Sequence, residues 1–288
     1  MPEPGEVEYE FGVPIPGAIK PAEQWARTAY KHFPPPGLLD WRAIFGREAP
    51  VILELGCGNG RFTLLSALQR PECDHFASDI LPAVIRYATR RGNQRGLHNV
   101  RFAVKDAQTL MREYVARGSV AEVHLYHPQP FHDQRAASRR LVTPEFLADV
   151  HRALKAGGLF VVQTDSPEYW AYIARAAPGF FHFKEQREPW PDAPDGRSRR
   201  EILARSRGLP IFRGYGPKRD ELTAEQLAEL VRNLPLPTFR TRGPNRELDA
   251  LENEGGGEHR GPRRKFRGSW HARKERRYQG HTGQSSNK

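Results

Sequence analysis

Three carboxylates, Glu54, Asp79 and Asp106, each close a short apolar run: VILEL, HFASD and VRFAVKD. Glu54 and Leu55 lead straight into a glycine-rich turn, Gly56-Cys57-Gly58-Asn59-Gly60. Glycines there permit a tight turn and let a ligand approach the backbone, and a helix beginning after them offers unpaired N–H groups. Asp79 stands twenty-five residues after Glu54, where a carboxylate can accept hydrogen bonds from two ribose hydroxyls. Taken singly, each acid reads equally well as a strand end or helix cap, and dinucleotide-binding folds share the glycine turn. Three in register line one edge of a sheet, and that edge is where open α/β folds bind ligands.

A fourth apolar run, VAEVHLY, ends in His127-Pro128-Gln129-Pro130-Phe131 and a basic stretch that reaches Arg139 and Arg140. Proline cannot donate to a sheet ladder, so the strand must stop near His127. Two prolines stiffen that edge, and Phe131 can pack on a base or a cofactor. His127 and His132 flank the turn, but no third ligand follows at metal spacing, so no metal is expected. Cys57, between glycines, reads as a small filler rather than a nucleophile.

These residues need a frame. From 50 to 165 the apolar runs PVILELG, HFASDI, VRFAVKD, VAEVHLY and GLFVVQTD alternate with helix-length segments, which implies βαβ units and a parallel sheet. In TPEFLADVHRALKAGG, Thr143 can cap a helix, Pro144 suits its first position and Gly157 its left-handed end. Thr223 and Gln226 are spaced as a capping box for a later helix. Residues 1–37 are proline-rich and read as an N-terminal arm, 38–251 as the folded body with a helical C-terminal part, and 252–288 as a basic disordered tail. No internal repeat is visible.

Composition sets the outer bounds. The chain has 288 residues, 38% of them hydrophobic, and no apolar run near twenty residues, so a soluble protein without a membrane span is expected. The opening MPEPGEVEYE is acidic and lacks an apolar signal core, and two cysteines make no disulfide scaffold; the cytoplasm is the expected compartment. Net charge is +11, yet residues 259–288 hold ten Lys/Arg against the single acid Glu275. That places +9 in the tail and about +2 elsewhere, with Phe266, Trp270 and Tyr278 among the arginines, as in nucleic-acid-binding segments.

The E-x-G-x-G-x-G pattern at Glu54 resembles class I S-adenosylmethionine methyltransferases. There an acid at this strand end faces the cationic methionine part of the ligand, and Asp106 would stand at the adenine amino group. Over residues 38–213 the chain resembles the bacterial tRNA (guanine-N7-)-methyltransferase family. VHLYHPQPFHDQRAASRRLVTPEFL is similar to its signature F-P-D-P-W-x-K-x-R-H-x-K-R-R and the helix that follows. LKAGGLFVVQTDSPEYW is similar to its T-D-x-x-x-Y segment, with Thr164, Asp165 and Tyr169; SRREILARSRGLPIF is similar to its T-x-x-E motif, with Ser198 and Glu201.

The resemblance implies a Rossmann-like, doubly wound α/β sheet of seven mostly parallel strands, the seventh antiparallel. It implies S-adenosyl-L-methionine as cofactor, held by Glu54, Gly56, Gly58, Asp79, Asp106 and Gln129. It implies tRNA as partner, with methylation of a variable-loop guanine N7 by a monomer or homodimer. Gln129 and Asp165 are then the expected catalytic residues, with Asp133, Asp165, Ser198, Arg199, Arg200 and Glu201 on the substrate. The departures fall in the signature: Gln129 replaces the family's acid, Phe131 its tryptophan and Asp133 a lysine. Gln129 has one acceptor for guanine N1–H and one donor for O6, so guanine recognition is conserved in principle while a negative charge is lost. Two other readings stay open. One is a methyltransferase retargeted to another RNA nitrogen. The other is a catalytically weak RNA-binding relative, against which the retained Glu54, Asp79 and Asp106 speak.

Overall fold

A computed structural model describes residues 3–35, 37–241 and Leu248. The chain up to Leu248 forms one compact unit; the basic segment 252–288 lies outside the described residues. A small hairpin, β1 (Tyr9–Glu10) and β2 (Val13–Pro14), comes first. Next are β3 (Ala29–Tyr30), α1 (Trp41–Phe45), β4 (Val51–Leu55), α2 (Arg61–Gln69), β5 (Asp74–Asp79) and α3 (Pro82–Gln94). Then follow β6 (Val100–Val104), the short α4 (Ala107–Thr109), β7 (Val120–Tyr126), α5 (Pro144–Ala153), β8 (Leu154–Thr164) and α6 (Pro167–Ala176). The described part closes with β9 (Lys184–Glu185), α7 (Arg199–Ser206), β10 (Phe212–Pro217) and α8 (Ala224–Asn233).

The main sheet runs β3-β6-β5-β4-β7-β8-β10-β9, with β10 antiparallel to both its neighbours. All five apolar runs form the strands expected of them, and the antiparallel strand is β10. The sheet has eight strands rather than seven, because Ala29–Tyr30 pairs in parallel with Phe102–Ala103 on the open edge of β6.

Alternation along β4 divides the core. Val51, Leu53 and Leu55 join the large cluster formed with α5 and α6. Ile52 packs with Phe62 of α2 on the other face, and burying such strands on both faces is the habit of parallel sheets. Helix α5 has the expected Thr143 cap, Oγ1 accepting from Phe146 N at 3.2 Å, and Pro144 at its first position. It ends at Ala153, short of Gly157, because buried Leu154 turns extended and pairs with Val120 of β7. Gly157 keeps its left-handed backbone, but inside β8, at the register shift between Leu154 and Leu159, where its N–H donates to Asp220. The capping box at Thr223 and Gln226 is present.

The N-terminal arm is part of the body. Ile15 and Ile19 are buried, Lys20 and Ala26 donate to backbone carbonyls at the end of α3, and Glu8 pairs with buried Arg95 at 2.9 Å. Proline removes donors and long elements, but it does not stop isolated isoleucines from filling a groove. No described helix is long and apolar enough to cross a membrane.

Candidate active site

Strands β6, β5, β4 and β7 are neighbours and parallel, so Asp106, Asp79, Glu54 and the turn after Tyr126 emerge at one edge. The register Leu55↔Leu125 sets the glycine turn beside the strand that leads into His127.

Gly56, Gly58 and Gly60 all have left-handed backbones, with φ of 70°, 53° and 82°. They serve different ends. A Cβ on Gly56 or Gly58 would meet nothing within 4 Å, whereas one on Gly60 would meet Ala88 at 2.9 Å and the Phe102 ring at 3.0 Å. The first two leave open space against bare backbone; the third seats α2 on α3 and the sheet.

Asp79 ties the turn down. Its Oδ2 accepts from Gly58 N–H and its Oδ1 from Leu81 N–H, both at 2.9 Å. Each oxygen keeps a lone pair for a hydroxyl. Burial pushes its carboxyl up, against the pull of those N–H groups. Ile80 and Leu81 beside it are 66% and 56% exposed, an apolar surface next to a polar acceptor that suits a nucleoside. Asp106 caps α4, its Oδ1 accepting from Thr109 N at 2.8 Å.

Glu54 lies deeper. It is buried against α2, where the Thr63 hydroxyl donates to its Oε2, and burial pushes its carboxyl up to about 8. Burial outweighs the pull of Arg197, so the protonated form is favoured; a bound sulfonium would favour the carboxylate.

The turn after β7 is held in an unusual backbone. His127 and Phe131 have φ of 52° and 45°, conformations that cost a non-glycine residue roughly 1–3 kcal/mol each. Such strain persists only where the surroundings enforce it. At one end, His127 N–H donates to Gln163 O at 2.7 Å, and its ring lies between Asp165 and Gln163. At the other, Arg140 donates to the carbonyls of Pro130 at 2.6 Å and Phe131 at 3.1 Å, with its guanidinium over Phe239. Arg140 is therefore a buried clamp rather than a phosphate contact. Gln129 between these anchors is exposed, and its side chain makes no hydrogen bond among the described residues.

Asp165 and Glu201 are buried. Asp165 Oδ2 accepts from Arg200 Nε at 2.9 Å, and Oδ1 stands 3.1 Å from His127 Nδ1. Burial pushes the Asp165 carboxyl up, but those two partners hold it below the usual carboxylate range. Glu201 is fully buried and takes Arg213 at 2.5 Å, Gln163 at 2.9 Å and Arg197 N–H at 2.9 Å. It therefore joins β8, β10 and the start of α7, and acts on a ligand only through them. Ser198 caps α7, accepting from Glu201 N at 3.1 Å. Arg199 faces the N-terminal hairpin, 4.8 Å over Phe11 and 3.9 Å from Glu10. Glu10 also accepts twice from Asn59 in the glycine turn, at 2.7 and 2.8 Å. Asp133 is exposed, caps the short helical turn after it and pairs with Arg135.

The sequence reading missed Gln163 and Trp190. Trp190 Nε1 donates to Gln163 Oε1 at 2.7 Å, and Arg197 packs 4.2 Å over the Trp190 ring while donating to the Tyr126 hydroxyl. A glutamine in the otherwise apolar run GLFVVQT was the available signal.

A family described as "Putative methyltransferase" matches residues 48–213. The chain is 31% identical over 172 residues to the tRNA (guanine-N(7)-)-methyltransferase of Paenarthrobacter aurescens (strain TC1), covering 58% of this chain and 57% of that one. It is 38% identical over 134 residues to the protein of that name from Paracidovorax citrulli (strain AAC00-1), covering 46% and 54%. The chain spans about half the length of these curated relatives. Among solved structures, the 16S rRNA methyltransferase KamB is 18% identical, with a TM-score of 0.47 over 62% of this chain and 92% of that one.

Proposed function

We propose, for a chain that belongs to this methyltransferase family, that it methylates a guanine N7 of tRNA with S-adenosyl-L-methionine, working in the cytoplasm. When bound, that cofactor supplies a methyl group on a sulfonium, an electrophile that needs no activation by the protein. Gly56 and Gly58 would admit it against bare backbone, Asp79 would accept from its ribose hydroxyls, and Asp106 would stand at its adenine. Glu54 would offset the sulfonium's charge from beneath. The observation that carries the reading is the shared edge. The three acids and the exposed Gln129 leave the sheet on four adjacent parallel strands.

Guanine N7 carries a lone pair and no proton, so the protein's task is orientation rather than proton removal. Gln129 is suited to it, because its amide can accept from guanine N1–H and donate to O6. The family's acid would instead take N1–H and the 2-amino group. The test is to incubate the protein with unmodified tRNA and isotope-labelled cofactor, then locate the label by mass spectrometry. The label is expected on N7 of one guanine. Label on an exocyclic nitrogen, or none on any RNA while cofactor binds, would reject it.

A further inference from the structure

We infer that His127 is a positioning residue whose ring locks the Pro128–Phe131 turn and thereby fixes where Gln129 stands, an inference that rests on the function proposed above. The direction of each hydrogen bond can be worked out from one end. Trp190 Nε1–H is a donor only, and it reaches Gln163 Oε1 at 2.7 Å. This settles which end of the Gln163 amide is which. Its nitrogen faces Glu201 Oε2 and His127 Nε2, both at 2.9 Å. An amide nitrogen cannot accept, so His127 Nε2 must, and the ring proton sits on Nδ1, 3.1 Å from Asp165 Oδ1. Asp165 is fixed in turn by Arg200.

Both ring nitrogens and the backbone N–H of His127 are thus tied to Gln163 and Asp165, at the end of β8. Arg140 holds the far end of the turn, and Pro128 and Pro130 have fixed φ. What remains free to meet a substrate is the amide of Gln129. The family pattern has phenylalanine where this chain has His127. A phenyl ring fills the space but neither donates nor accepts, so the tie belongs to this chain. It accompanies the exchange of acid for amide two residues later: a neutral amide attracts its target less strongly than a carboxylate, and gains more from being held in place.

His127→Phe tests the lock, since it keeps an aromatic ring and removes both ring bonds. The kcat for tRNA methylation should fall roughly 10- to 100-fold, while cofactor Kd by calorimetry stays at the wild-type value and Tm falls only modestly, because Asp165 keeps Arg200 and Gln163 keeps Glu201 and Trp190. The backbone order parameter of Gln129, from 15N relaxation, should drop from about 0.85 to below about 0.6. His127→Asn is the conservative partner, because its amide nitrogen can stand in for Nδ1 and asparagine tolerates the left-handed backbone; it should recover most of kcat and of the order. Wild-type protein carrying 15N-histidine should show the Nδ1–H tautomer at His127. The inference is overturned if His127→Phe leaves kcat and Gln129 order unchanged. It is equally overturned if Tm, cofactor affinity and activity fall together without recovery by Asn, which would make His127 a core residue only. Should the wild-type protein methylate no RNA, the proposed function fails, and the tautomer with the Gln129 order parameter still decides the lock.

Discussion

Glu54 shows how one residue can serve a ligand and strain the fold. Its carboxyl, pushed up to about 8 by burial, binds a proton in the folded state at pH values where the unfolded chain has released it. Folded protein therefore holds one more proton than unfolded protein between about pH 4.5 and 8, and stability falls as pH rises through that window, by at most about 1.4 kcal/mol per pH unit. Glu54→Gln keeps an acceptor for Thr63 and cannot ionise. Thermal melts should show the variant gaining on wild type as pH rises from 5 to 8.5, while its affinity for S-adenosylmethionine falls. A Tm difference that does not change with pH would refute the assignment. The position of this acid was legible in the sequence, because a glycine turn follows it. Its depth was not, since nothing in the run VILEL tells which neighbour covers the second face. The same holds for Glu201 and Arg140, charged residues in basic, loop-like text. Their partners stand up to 97 residues away, and only the fold brings them together.

At the scale of elements, the glycine turn separates binding from packing. Gly58→Ala places a methyl group in open space and costs about 1–2 kcal/mol for the left-handed backbone, so the protein should fold with a modestly lower Tm and bind cofactor poorly. Gly60→Ala adds the same strain and a collision with Ala88 and Phe102, so its Tm should fall well below that of Gly58→Ala. Equal Tm values for the two variants would show that Gly60 does not seat α2. The strands themselves were readable because buried parallel strands are continuous apolar runs. The eighth strand was not, because Ala29–Tyr30 is too short to carry a pattern and pairs only because the edge of β6 is open. The end of α5 was misplaced for a related reason. Gly157 has the backbone of a helix terminator, but pairing of Leu154 with Val120 ends the helix first.

For the whole molecule, charge is unevenly distributed along the sequence. The chain carries +11, of which residues 259–288 hold +9, so the body that would bind the cofactor is nearly neutral. A near-neutral body gives little long-range attraction to a polyanion, whereas a basic tail with interleaved Phe266, Trp270 and Tyr278 can contact phosphates and stack on bases. Such contacts release counterions, and each one contributes roughly 0.7–0.9 to the slope of log affinity against log salt. Deleting residues 259–288 should therefore weaken tRNA binding most at low salt and flatten that slope, while calorimetry with S-adenosylmethionine returns the full-length affinity. Binding titrations across a salt series check both parts. If the two proteins bind tRNA equally at low salt, then the body's own surface must supply the attraction. The exposed Arg139 beside the Gln129 turn, and Arg135 paired with Asp133, stand where they can contribute to it.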